Sequence, residues 1–397
     1  NDDIEEAYHY ATTLQFDKAA ASVNHIKSTD PDNKFVYLVE NYIDFFKVFI
    51  NEDKAEYERL SDNKDYRLDQ IKMGSKESPY YLFCMAEINL QWATARLKFG
   101  ETFTPAREVL RAYKLLENNK KKFPDFIENK KSLSIIHALG ESIPGLVRSI
   151  LRIKGSIELG TKEIDEVVNY AANNDFLFKD EAYAIYAYIL FFQNNKKKEA
   201  YDLLFSADLD HSVSPLICFL KANIALKNGY NEEAKSILED RPKGESYLPF
   251  YYLDFMYGNC KLNALEADAG IYMKRFIDNF KGRHYVKEAY QKIAWYELVQ
   301  NENVAAYKSY MRLCNTEGHN LVDEDKQAYR ESEDGKIPNT NLLRARLLFD
   351  GGYYAKAYGL LVRKAYLFDQ SSPDFLEFNY RFGRVSHELG NLPEAVA

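Results

Sequence analysis

The feature that most constrains this chain is a recurring pair of amphipathic helices joined by a tight turn. Its clearest instance is Leu220-Lys221-Ala222-Asn223-Ile224-Ala225-Leu226-Lys227-Asn228-Gly229-Tyr230-Asn231-Glu232-Glu233-Ala234. An apolar-periodic stretch stops at Asn-Gly, and a second helix begins before a small residue. Gly229 supplies the left-handed backbone that ends the first helix, and Ala234 lets the second pack closely. Equivalent alanines recur. Ala200 precedes Ala234 by 34 residues, and Ala267, Ala306, Ala357 and Ala395 follow at steps of 33, 39, 51 and 38. The first unit is Leu14-Gln15-Phe16-Asp17-Lys18-Ala19, whose second helix ends at Asp30-Pro31-Asp32-Asn33. The step of 51 marks an insertion, assigned to the polar, acid-rich stretch 323–338.

One helix pair cannot bury its own apolar face, whereas stacked pairs form a continuous core and leave a concave surface. With 18 Gly and 11 Pro among 397 residues, turn-formers are few, and long helices with short connectors follow. The expected fold is all-α. No run reaches the 18 or so apolar residues of a membrane span. A net charge of −8 argues against a general phosphate-backbone binder, so no nucleic-acid partner is expected.

These segments resemble tetratricopeptide repeats of the kind found in Bacteroidetes proteins. The likeness rests on Phe382-Gly383 with Gly390 and Ala395, on Ala345 with Gly352, Tyr354 and Ala357, and on Ala222 with Gly229 and Ala234. Lys221 and Arg344 depart from it, standing where the pattern prefers Leu. The resemblance implies a right-handed α-α superhelix, with repeats over 1–77 and 176–397. The section 78–175 reads as less regular: a long helix over 80–99 that the segment 100–106 turns into a second, then breaks at Phe123-Pro124-Asp125-Phe126, Leu139-Gly140-Glu141-Ser142-Ile143-Pro144-Gly145 and Ile153-Lys154-Gly155-Ser156. That section faintly resembles the mitochondrial outer-membrane inclusion-clearance repeat family.

In repeats of this type the first helix of each pair lines the groove. Carried onto this chain, that rule nominates Gln291 and Trp295, Leu342 and Arg346, and Tyr380, Arg384 and His387. Each set shares one helix face. Tyr, Trp and Arg suit binding hot spots, Arg through bidentate contact with carboxylates. The resemblance therefore implies a non-enzymatic scaffold that holds a peptide or partner protein. The alternative is a carbohydrate-capture protein of SusD-like type, which would need exposed aromatic platforms.

Catalytic signatures are missing. The seven histidines form no HxxxH or HExxH pair, no phosphate loop or nucleophile elbow occurs, and Asp323-Glu324-Asp325 lacks the spacing of a calcium loop. Neither a metal nor a cofactor is expected. Cys84, Cys218, Cys260 and Cys314 sit among apolar neighbours and read as small buried hydrophobes. Lys120-Lys121-Lys122 and Lys196-Lys197-Lys198 fall at helix ends and read as solvated caps. The start without Met reads as leader removal or trimming. With the family likeness it suggests a periplasmic protein reaching the outer membrane through a partner, the alternative being cytoplasmic. The final Ala395-Val396-Ala397 breaks off inside a second helix, so either the chain continues or another subunit is expected to cover that end.

Overall fold

The structure, a computed structural model, describes residues 2–140 and 153–396. Of the break expected over 139–145, Leu139 and Gly140 end a helix and 141–145 lie outside the described residues. Every regular element among them is helical, and no helix there is long and apolar enough to cross a membrane. Helices pack mainly on their neighbours in sequence. Asp2–Thr12 pairs with Phe16–Thr29, Pro79–Lys98 with Phe103–Lys122, Tyr251–Asn263 with Ala269–Asn279, Val286–Gln300 with Val304–Thr316, and Thr340–Asp350 with Tyr354–Lys364.

One turn geometry closes these hairpins. A left-handed residue stands at Leu14, Gly100, Asn195, Gly229, Leu265, Glu302, Gly352 and Gly390. The next residue donates its N–H five positions back, Gln15 to Tyr10, Glu101 to Arg96, Tyr230 to Ala225, Glu266 to Lys261, Tyr353 to Leu348 and Asn391 to Ser386, or six back, Lys196 to Leu190 and Asn303 to Glu297. This bond satisfies carbonyls that the helix C-terminus would otherwise leave open. At the other ends, Asp53, Ser78, Ser156, Asn303 and Asn339 accept first-turn N–H groups.

The chain divides into two compact units, residues 1–224 with 241–249, and residues 225–240 with 250–397. In the first, the long helix expected over 80–99 and the second that follows its turn form a hairpin of two 20-residue helices, Pro79–Lys98 and Phe103–Lys122. The expected breaks at 123–126 and 153–156 are loops. Glu128–Gly140 and Ile157–Asn173 approach so closely that a Cβ on Gly160 would lie 2.4 Å from the Ser134 carbonyl oxygen.

The first unit has an unusually polar interior. Lys131, 1% exposed, donates to Glu87 at 2.9 Å and to Glu181 at 2.6 Å, and packs over the Phe178 ring at 4.5 Å. Ser132 donates to Glu87, and the hydroxyls of Tyr8 and Tyr42 both donate to Glu181. Those two carboxylates hold the Lys131 ammonium charged against the cost of burial, and burial raises both tyrosine hydroxyls well above their ordinary value. A second buried network joins Arg67 to Asp44, with Asn41 accepting from both Arg67 and the Trp92 indole N–H. Six helices are tied together by these bonds, which a chain of purely apolar hairpins would lack.

The second unit is built on a more apolar core of Phe255, Met273, Phe276, Ile293, Trp295, Leu298, Met311 and Leu347. Its hairpins do not simply follow one another. Tyr251–Asn263 and Val286–Gln300 both contact Thr340–Asp350, and the turn at Gly352 meets the turn at Gly229. There Tyr353 donates to Glu232 at 2.5 Å and accepts from Asn231 at 2.9 Å. The inserted segment forms a helix, Asp323–Asp334, lying on Val286–Gln300. Asp325 caps that helix by accepting from the backbone N–H groups of Tyr285 at 2.7 Å and Glu288 at 2.9 Å.

The two lysine triplets differ in position. Lys120-Lys121-Lys122 ends its helix, but Lys197 and Lys198 open the Lys197–Ser206 helix. There the helix dipole opposes them; Asp202 pairs with Lys198, and Glu199 pairs with Lys196 just before the helix.

Candidate functional site

The nominated residues all lie in the second unit and separate into two groups. Gln291 and Trp295 are buried on Val286–Gln300, and Leu342 is buried on Thr340–Asp350. Arg346 and Lys292 both pack their cationic groups 4.4 Å from the Trp295 ring. Glu331 of the inserted helix accepts from Gln291 at 2.7 Å and from Arg346 at 3.0 Å. The Arg346 guanidinium is thus already paired with a carboxylate of this chain. Tyr380, Arg384 and His387 are exposed and line a shallow depression of about 380 Å³ with Glu388 and Leu392. Arg384 packs 4.1 Å from the Phe349 ring and donates weakly to the Tyr380 hydroxyl at 3.3 Å.

A larger cavity, about 570 Å³, opens in the first unit. Stacking hairpins places the loops between successive pairs at one end, and four such loops meet there. They are the segments 30–35, 73–78, 123–127 and 174–178. Three carry an aromatic shortly after an aspartate: Asp32-Asn33-Lys34-Phe35, Asp125-Phe126 and Asp175-Phe176. The N-terminal turn of Pro79–Lys98, held by its Ser78 cap, adds Tyr80 and Tyr81, and Tyr170 completes the aromatic wall. Tyr80 meets Phe35 and Phe126 edge-on, with centroids 5.5 and 5.0 Å apart. Phe176 and Phe178 continue the aromatic contacts inward to the ring on which Lys131 rests.

Five carboxylates line this cavity, from Glu5, Asp32, Asp125, Glu128 and Asp175, against one cation, Lys34. The Lys34 ammonium turns back to the Pro31 carbonyl at 2.8 Å. Among the described residues, Asp32, Asp125 and Asp175 form no ion pair and are exposed to solvent. Tyr80 donates to Glu128 at 3.2 Å. Burial raises the Glu128 carboxyl above its usual range, and burial beside that carboxylate raises the Tyr80 hydroxyl. Aromatic faces and uncompensated carboxylates both favour a cation.

The cavity was not among the residues nominated from repeat position. Its signal in the sequence is the recurrence of an aspartate just before an aromatic in the loops between hairpins. Periodicity places that motif outside the helices and gives no sign that three copies converge.

Among the described residues, no set of three or more His, Cys, Asp or Glu residues is placed to hold a metal ion. The four cysteines are buried free thiols; burial pushes Cys314 up to about 12 and Cys84 and Cys260 higher still. No family model matches the chain, and no curated protein is significantly similar to it.

Proposed function

We propose that this is a non-catalytic interaction protein, a right-handed superhelix of tetratricopeptide-like hairpins that captures a cationic segment of a partner polypeptide in the first unit's cavity. The observation that carries this reading is the pairing of aromatic walls with three exposed, unpaired aspartates in one concavity. A volume near 570 Å³ falls within the roughly 300–1,000 Å³ of ordinary ligand pockets and admits one or two long side chains. A Lys or Arg side chain would lay its stem on Tyr80 and Phe126 and bring its charge to the rim.

Fluorescence anisotropy with a labelled Lys/Ala peptide and a Glu/Ala counterpart tests the proposal. The basic peptide is expected to bind, more weakly as salt rises, and D32N/D125N/D175N is expected to lose most of that binding. Equal binding of the acidic peptide, or an unaffected triple variant, overturns it. A carbohydrate reading is favoured by the exposed rings of Tyr80 and Tyr170. Binding of a neutral oligosaccharide that ignores salt and the aspartate changes, but is lost with Tyr80→Ala, would replace the peptide reading.

A further inference from the structure

We infer that the outward face of the Phe103–Lys122 helix docks on an anionic lipid bilayer. Phe103, Arg107, Leu110, Arg111, Lys114 and Lys121 recur at the three- and four-residue spacing of one helix face. The four cations are exposed, and none makes an ion pair or hydrogen bond among the described residues. Such a row is conspicuous in a chain of net charge −8. Phe103, at the head of the row, is 84% exposed, and Leu97, just before the turn leading to it, is 53% exposed.

The neighbouring acids do not cancel this charge. Glu108 is buried and already paired with Lys64 and Arg96, and Glu117 lies at one edge of the row. Asp62 and Asp65 line a depression of about 420 Å³ together with Arg107 and Arg111, but make no ion pair with them.

The shape favours a lipid surface over a fixed acidic peptide. The cations stand along the outside of a helix and do not converge on a point, an arrangement met by mobile phosphate headgroups at any lateral spacing. The shallow dent between them, about 320 Å³, is floored by Leu110 and Leu115. An exposed ring at the end of a basic row is suited to the headgroup boundary, where aromatic burial adds to attraction by anionic lipid.

Co-sedimentation of the intact chain with phosphatidylcholine vesicles, with and without phosphatidylglycerol, tests this. Binding is expected only with the anionic lipid and is expected to fall at high salt. R107E/R111E/K114E should weaken it by roughly 100-fold, given the contribution of each cation near such a surface. Phe103→Ser should weaken it several-fold without changing the salt dependence. Both variants should keep the wild-type circular dichroism and the Lys/Ala peptide affinity, which separates this surface from the cavity. Equal binding to neutral vesicles, no binding, or an unaffected triple variant overturns the inference. So does binding of polyglutamate to this row without binding of vesicles, which would make the partner an acidic polypeptide. Competition by free inorganic phosphate at millimolar concentration would likewise assign the row to a soluble anion.

Discussion

At the scale of single residues, the second unit turns on a contact between two glycines. Gly352 has φ +75°, and a Cβ there would lie 2.0 Å from the Gly229 carbonyl oxygen. The obstacle is backbone, so no rotamer change relieves it. Gly352→Ala is expected to cost about 2–4 kcal/mol, combining left-handed strain with overpacking. Chemical denaturation measures this directly, and a loss below about 1 kcal/mol would show that the two turns do not meet in solution. Lys131 illustrates the opposite kind of constraint. Its charge is satisfied by carboxylates from two other helices, an arrangement whose value lies in specifying which helices meet more than in net stability. The sequence marks Gly352 as a turn residue. It gives no hint that Gly229, more than a hundred positions earlier, lies against it.

At the scale of the element, the hairpin turn is the repeating unit, and its left-handed position is glycine only at some repeats. Glu302 occupies it at φ +50° with an exposed side chain that makes no hydrogen bond or ion pair among the described residues. Glu302→Gly removes the strain of a Cβ in that region, partly offset by greater freedom of the unfolded chain. The net expectation is a gain of about 0.5–1 kcal/mol, read as a rise in the second unit's thermal midpoint. A fall would mean that Glu302 contributes something this turn geometry does not reveal. Turns marked by Asn-Gly or Gly-Gly were legible because glycine advertises the backbone conformation. Those at Leu14, Leu265 and Glu302 carry no such mark, and only the neighbouring small residues and the repeat spacing locate them.

At the scale of the whole molecule, burial makes stability depend on pH. Burial pushes Glu288 up to about 7 and Asp325 up to about 6, both above their values near 4 in an unfolded chain. Glu324 raises Glu288 further, while Lys292 and Lys227 oppose the shift. The folded second unit therefore retains protons that the unfolded chain releases, and its stability falls as pH rises from about 4 through 7. Carboxylates held below their usual range, such as Glu266 and Glu297, titrate beneath this window and do not reverse the trend. The second unit is expected to be more stable at pH 5 than at pH 8, with Glu288→Gln recovering on the order of 1–3 kcal/mol at pH 8. Urea titrations of both proteins at the two pH values check this; a wild type equally stable at both would remove the basis for it.

The sequence by itself determined the helical class, the hairpins and their turns, because apolar periodicity and left-handed caps are set by residues a few positions apart. It also placed the insertion after the 286–316 hairpin, though not the helix that insertion forms. Tertiary structure decided which helix faces remain open. Trp295 and Gln291 sit at positions that repeat spacing assigns to a groove, yet both are buried: Gln291 bonds Glu331 of the inserted helix, and Arg346, itself a nominated residue, packs on the Trp295 ring. Tyr380 and Arg384, with no such helix over them, stay exposed. The loop aspartates and aromatics became a cavity for a related reason. Stacking fixes where the ends of hairpins gather, and no window of local sequence contains that distance.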